Sequence, residues 1–277
     1  MKSSFPVKTK VWRVPNLGNL ELLRAEHQTQ SFPRHTHERY AIGVIEAGAL
    51  GFHYRGENVV ASSGDISLCI PGEVHTGQPA AEEGWAYRMF YFETSFLERL
   101  TSDLADKPRG LPFFQSGVIA DNALAKQLRA LHIHLEQSAA SRLEQESLLL
   151  AALTRLIRRY ADKPLPTPKL GRETYTVTQI KRYLEHYYAK PVSLDDLVNL
   201  TGLSRGYLVE TFRQTVGIPP HAYLRQVRVR HAKERLAAGQ SIAEVALATG
   251  FTDQSHLTRW FKRLWGFTPG QYRASAP

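Results

Sequence analysis

The chain has 277 residues, 43% of them hydrophobic, with 35 Lys+Arg against 26 Asp+Glu and a formal net charge of +9. This is more than one hydrophobic core usually organises, so two domains are expected. The absence of any uncharged apolar run of about 18 residues excludes a membrane-spanning helix; the start MKSSFPVKTK has no apolar segment that would mark secretion; and the single Cys69, with no Cys/His cluster at zinc-finger spacing, points to a reducing cytoplasm.

From Leu20 to Phe92 the chain reads as short strands. The segments AIGVIEAGAL and GFHYRGENVVA are rich in β-branched and aromatic residues and are broken by glycines at 43, 48, 51 and 56, while GDISLCIPGEVH runs from a turn into an apolar strand and out again. Many short strands with glycine corners predict a sandwich or small barrel. The period then changes: helices are predicted over 96–104, 121–135 and 142–160, the last with Leu149, Leu153, Leu156 and Tyr160 at three-to-four residue spacing. That stripe is read either as an internal packing face or as a seam to a second subunit. Pro164, Pro166, Pro168 and Gly171 cannot continue the helix, so residues 161–175 are read as a linker between domain 1–160 and domain 176–277.

Beyond the linker nearly everything is helical: 176–188, 194–200, 204–216, 220–237, 242–249, 253–265 and a short segment from 269. Ser193, Ser204 and Ser241 are candidate N-caps, and Gly202, Gly217, Gly239, Gly250 and Gly266 fall where helices end. Charge separates the two halves. Residues 1–175 hold 21 basic and 19 acidic groups, whereas residues 176–277 hold 14 basic and 7 acidic ones, an excess that suits a polyanionic partner.

The basic half repeats itself. LDDLVNLTGLSRGYLVETFRQTVGIPPHAYLR, from Leu194, returns as IAEVALATGFTDQSHLTRWFKRLWGFTPGQYR, from Ile242, with Leu208, Phe212, Gly217, Pro220 and Tyr223 matching Leu257, Phe261, Gly266, Pro269 and Tyr272. Each unit is a short helix, a turn containing Gly and a second helix, the layout of a helix-turn-helix. Inward positions are expected at Leu194, Leu197, Val198, Leu200, Leu208 and Phe212 in the first unit, and at Val245, Ala246, Leu257 and Phe261 in the second. With Ser204 opening the first reading helix, this leaves Arg205, Gly206, Tyr207, Glu210, Thr211 and Arg213 in one unit, and Asp253, Gln254, Ser255, His256, Thr258, Arg259, Lys262 and Arg263 in the other, as the DNA-facing candidates. The 18-residue helix between the units would be a rod of roughly 27 Å, of the order needed to reach successive major grooves about 34 Å apart.

These phrases, SxxYL with the following F, G, P and Y, and ATGFTDQSHLTRWFKRLWGFTPGQYR, resemble the DNA-binding domain of the AraC/XylS family of bacterial transcription regulators over residues 176–274. The resemblance implies binding of double-stranded DNA at promoter direct repeats, activation through RNA polymerase, and a homodimer formed through the N-terminal half with helix 142–160 as its seam. Glu210 departs from the family phrase, in which arginine is common; Arg259 keeps that place in the second unit. An acid at 210 could accept from cytosine N4 or could simply weaken the phosphate grip.

The N-terminal half resembles the cupin-like ligand-binding domain of the same family through FPRHTHERYAIGVIEAG and GDISLCIPGEVHTG. The expected fold class is therefore two-domain α+β: a cupin-like β-barrel with trailing helices, then an all-α domain with two helix-turn-helix units. His35, His37 and His75 have three readings: a divalent transition-metal site, hydrogen-bond partners for an effector, or structural caps of strand ends. The glutamate of a catalytic cupin is absent at its usual spacing, although Glu38 and Glu46 are near. An effector pocket is expected to draw on Arg34, His35, His37, Glu38, Tyr40, Glu73, His75, Tyr87 and Arg88, a mixed set that would suit a zwitterionic or polar metabolite. The function predicted is an effector-responsive regulator that is not an enzyme. The alternatives are a metal-dependent cupin enzyme fused to a DNA-binding domain, and an effector-independent DNA-binding protein.

Overall fold

A computed structural model of the chain describes residues 8–105, 107–137, 141–163, 173–265 and 267–275. The chain divides into two compact units, residues 1–140 with 148–167 and residues 141–147 with 168–277. Most of the expected linker, and Gly266, lie outside the described residues.

The first unit is built on nine strands: β1 (Lys8–Val14), β2 (Leu20–Gln28), β3 (Phe32–His35), β4 (Tyr40–Tyr54), β5 (Glu57–Ser62), β6 (Ile66–Cys69), β7 (His75–Pro79), β8 (Trp85–Phe92) and β9 (Val118–Ile119). One ladder runs β1-β2-β8-β4-β6-β9, while β3, β5 and β7 form a second with the far end of β4. The segments at 41–50 and 51–61, which read as separate short strands, share the 15-residue β4. Its first half pairs with β6 and β8 and its second half with β5 and β7. A register shift between Ile45 and Ala47 and a left-handed Gly48 (φ 67) turn the strand from one sheet into the other. The ladder curls without closing, and the space between its two faces is the cavity described below.

Three helices trail the strands: α1 (Thr94–Ala105), α2 (Asn122–Glu136) and α3 (Arg142–Tyr160), each within two residues of its predicted bounds. Asp121 caps α2 by accepting from the backbone N–H groups of Ala123 and Leu124. Leu149, Leu153 and Leu156 are fully buried and Tyr160 donates to Asp121 Oδ2, so the stripe on α3 is an internal packing face and is not available as a subunit seam.

The second unit holds α4 (Glu173–His186), α5 (Leu194–Thr201), α6 (Arg205–Val216), α7 (Pro220–Ala237), α8 (Ile242–Ala248), α9 (Gln254–Trp265) and α10 (Pro269–Ser275). Ser193 with Asp196 and Ser241 with Glu244 form capping boxes at α5 and α8. Ser204 occupies the N-cap of α6 without a side-chain cap bond. Leu194, Leu197, Leu208 and Phe212 are buried in the first repeat, and Val245, Ala246, Leu257 and Phe261 share one cluster with α7 in the second. Leu200 corrects the inward set: it is 38% exposed, because Leu194 and Leu197 already fill the buried face of so short a helix.

A side chain at Gly48 would need a strained left-handed backbone and would place its Cβ 2.0 Å from the Gly84 carbonyl oxygen. At Gly56, also left-handed, a Cβ would meet nothing within 4 Å. Gly48→Ala is therefore expected to cost the first unit more than about 3 kcal/mol, and Gly56→Ala only about 1 kcal/mol. Urea unfolding followed by far-UV circular dichroism checks this; equal midpoints for the two variants would contradict the bend assigned to Gly48.

Candidate functional site

Two surfaces carry chemistry, one in each unit. In the first, a cavity of about 340 Å³ opens between the two sheets. Its wall comes from alternate residues of β8 (Trp85, Tyr87, Met89, Tyr91) together with Leu23, Phe32, Leu50 and Phe52, and its polar end comes from His35, His37, Ser67, Cys69, His75 and Thr76, with Thr9 and Gln28 also in the lining. A largely apolar cavity with polar groups at one end is the usual form of a small-molecule site.

The histidines are brought together by the backbone. His35 and His75 are cross-strand partners in β3 and β7, and the carbonyl of His37 accepts from Gly72 N–H, which ties the segment after β3 to the turn between β6 and β7. Ring centroids lie 4.3 Å apart for His35 and His75, 4.8 Å for His37 and His75, and 6.3 Å for His35 and His37. Burial holds the pKa values of His37 and His75 below the ordinary histidine range, so both are neutral near pH 7. Burial, reinforced by Glu73, pushes the Cys69 thiol up to about 12. Its Sγ lies 3.2 Å from His75 Nδ1, and one ligand atom from each of His37, Cys69 and His75 can be chosen so that all lie within 4.8 Å of one another.

In the second unit α6 and α9 are the second helices of the two repeats, and they present different faces. Asp253, just before α9, and Gln254, Ser255, Arg259, Lys262 and Arg263 on it are exposed, with His256 and Thr258 partly so. Of the candidates in the first unit only Arg213 is fully exposed, while Ser204, Arg205 and Tyr207 are intermediate. Gly206, Glu210 and Thr211 are buried, which corrects the expectation that they face outward. Glu210, 6% exposed, accepts from Gln214 Nε2 at 2.6 Å and pairs with Arg213, and Arg205 pairs with Asp195 of α5. Helix α9 is fixed to α7 by the Arg225 guanidinium stacked 3.5 Å from the Trp260 ring centroid.

Comparison with known proteins fits both surfaces. The AraC-like ligand binding domain family matches residues 17–153, and a helix-turn-helix domain family matches residues 197–275. The HTH-type transcriptional regulator YbfI of Bacillus subtilis is 32% identical over 243 residues, 86% of each chain. The chain belongs to the AraC family of transcriptional regulators. An HTH-type regulator of Staphylococcus aureus strain COL is 27% identical over 150 residues, 54% of this chain and 20% of that one. The crystal structure of a probable AraC family regulator from Rhodopseudomonas palustris covers 37% of this chain and 98% of its own, at 27% identity and a TM-score of 0.36. This AraC-family chain thus joins a ligand-binding domain to a DNA-binding one, and no helix among its described residues is long and apolar enough to cross a membrane.

Of the nine residues expected to line the regulator's ligand pocket, His35, His37, His75 and Tyr87 do so. Arg34, Glu38, Tyr40, Glu73 and Arg88 lie outside the lining, each for a local reason. Arg34 and Glu38 are exposed, Glu73 pairs with Arg55, and Tyr40 turns to donate to the Pro112 carbonyl. Arg88 alternates with the cavity-facing Tyr87 and so points to the opposite face of β8, where it meets Glu46, Glu136 and His132. Sequence reasoning missed Cys69 and the aromatic wall. Strand parity counted along β8 from Tyr87 finds Trp85, Met89 and Tyr91, but a lone cysteine carries no positional signal.

His132, fully buried under Arg88, has its pKa lowered to about 4 by burial and then by the Arg88 charge. Between about pH 4 and the unfolded value of about 6.5 the unfolded chain binds a proton that the folded chain refuses, so stability rises with pH across this window and is lost as pH falls. The AraC-like ligand-binding domain is expected to lose on the order of 3 kcal/mol there from this group, and His132→Phe should remove that part of the slope. Denaturant midpoints at pH 7, 5.5 and 4 measure it; a slope unchanged by the substitution would show that His132 is not the group responsible.

Proposed function

We propose that the protein is an effector-responsive transcription regulator: a small molecule occupies the cavity and alters how the two helix-turn-helix units engage promoter DNA. The observation that carries this reading is the cavity itself, enclosed in the domain that matches the AraC-like ligand-binding family and joined in one chain to the repeated helical unit. Its walls refine the effector. With Arg34, Glu38, Glu73 and Arg88 turned away, no carboxylate or guanidinium among the described residues lines the space, so a mainly apolar molecule with one polar end toward the histidines fits better than a zwitterion. Catalysis is not part of the proposal: Glu46, the nearest stand-in for a cupin glutamate, is engaged by Arg88 and Arg129. We place the protein in the cytoplasm, acting as a homodimer that activates RNA polymerase, with the dimer seam away from the buried leucines of α3.

A thermal-shift screen of the full chain against small apolar acids and alcohols tests sensing, since a ligand of the native state raises the melting temperature by mass action. A true effector should then change affinity for a direct-repeat site by roughly 5- to 150-fold in a gel-shift titration. A stabilising compound that leaves both affinity and DNA bending unchanged would refute the coupling.

The DNA contacts proposed are Ser204, Arg205, Tyr207 and Arg213 of the first unit, and Asp253, Gln254, Ser255, His256, Thr258, Arg259, Lys262 and Arg263 of the second. The exposed cations of α9 support a stronger backbone grip by the second unit. Arg259→Ala and Lys262→Ala are each expected to reduce the slope of log affinity against log salt by about 1, and Arg213→Ala, already paired with Glu210, by less. Equal loss for all three would remove the asymmetry.

A further inference from the structure

The histidine cluster is built in a way that an effector pocket alone does not require. His35 Nδ1 lies 2.8 Å from the Pro33 carbonyl, His37 Nδ1 2.6 Å from that of Arg39, and His75 Nδ1 3.0 Å from that of Glu73. A carbonyl oxygen can only accept, so in each ring Nδ1 is the donor, which in a neutral imidazole leaves the lone pair on Nε2. Three adjacent imidazoles are thus locked in the same tautomer by backbone acceptors, the outer support that metal-binding histidines characteristically receive.

We propose that His37, His75 and Cys69 form a binding site for a zinc-class ion at the polar end of the cavity. Two neutral imidazoles and one thiol that can lose its proton to the metal are a borderline-soft donor set suited to zinc. One ring nitrogen of each histidine and Cys69 Sγ lie within 4.8 Å of one another, and neighbouring ligand atoms around tetrahedral zinc are separated by roughly 3.3–3.8 Å, so side-chain rotation that turns Nε2 of His37 and His75 toward Cys69 Sγ closes the site. The backbone already holds two of its corners, through Gly72 N–H on the His37 carbonyl and through the end of β6 at Cys69. His35, which is exposed, serves as a neighbour of His75 and not as a required ligand. All three ligands line the cavity, so a position left open on the metal faces the space assigned to the effector. This consequence rests on the sensing proposal; the metal site itself does not.

Cobalt titration of chelator-stripped full-length protein is the test. Cys69 is the only cysteine in the chain, so a thiolate-to-cobalt charge-transfer band can arise from it alone. The expected result is one cobalt per chain with that band and competition by zinc. His37→Ala and His75→Ala should each weaken binding at least tenfold, Cys69→Ser should abolish the band, and His35→Ala should leave both nearly unchanged. Cobalt lost on desalting would overturn the proposal, as would cobalt retained without the band, which the wild-type protein reports even if a variant misfolds. Loss of binding in His35→Ala equal to that in His75→Ala would replace it with a three-histidine site. Each readout is metal occupancy, so a negative result leaves effector sensing to be judged by its own DNA and thermal-shift measurements.

Discussion

One strand serves two sheets, and the first unit depends on how it manages this. A flat 15-residue β4 would leave β5 and β7 in the same plane as β6 and β8, with no interior between them. The bulge after Ile45 and the left-handed Gly48 re-aim the strand, and Gly84 packs so closely behind it that no side chain fits at the turn. Everything chemical in this half follows from that bend. The ends of β6 and β7 are brought beside the end of β3, which is why Cys69, His75 and His35 meet, and the inward residues of β8 become a wall opposite Phe52 and Leu50.

The helical unit solves a different problem, which is to present two similar helices from a core too small to bury them both on several sides. Capping boxes at Ser193 and Ser241 stop α5 and α8 from fraying, and the stack of Arg225 on Trp260 fixes α9 against the long α7. The repeat is nonetheless unequal. On α6 the buried set Gly206, Leu208, Val209, Glu210, Thr211 and Phe212 covers much of the helix circumference, whereas α9 buries only Leu257 and Phe261. A helix buried on so many sides has few side chains left for a partner, so polar residues of α6 are engaged within the unit, Glu210 with Gln214 one turn later and Arg205 with Asp195 of α5.

How much of this was legible in the sequence depended on the period being read. Helix bounds came out within a few residues because apolar spacing and the Ser and Gly punctuation at 193, 202, 217 and 241 agree. Pocket residues came out poorly because strand parity was not enforced. Tyr87 and Arg88 are adjacent in β8 and cannot face one cavity, and the same holds for Tyr40 and the lining residue Ala41. The three histidines were legible as a group through the resemblance of their two segments to a cupin-like domain, while Cys69 was invisible because only the antiparallel pairing of β4 with β6, Ala41 opposite Cys69, carries it to the cavity. Glu210 was misplaced for a related reason: a polar residue on an amphipathic helix reads as exposed unless its partner is known, and Gln214 supplies that partner one turn later.

The mechanical consequence of the shared strand bears on sensing. An effector acts only through a difference in free energy between two states of the protein. The cavity wall is contributed by both sheets, so an occupant that fits imperfectly must part them or draw them together, and β4 is the strand whose own ladder runs through both, turning at Ala47–Gly48. Close packing makes the rest of the interior resist such a change: Ile45, Phe52, Tyr54 and Trp85 are all buried in one continuous cluster. The bulge, where one ladder step is already interrupted, is the point at which β4 passes from one sheet to the other. Under the proposed sensing role, differential contacts across the two sheets are thus the physical form that a ligand-dependent switch in this domain would take.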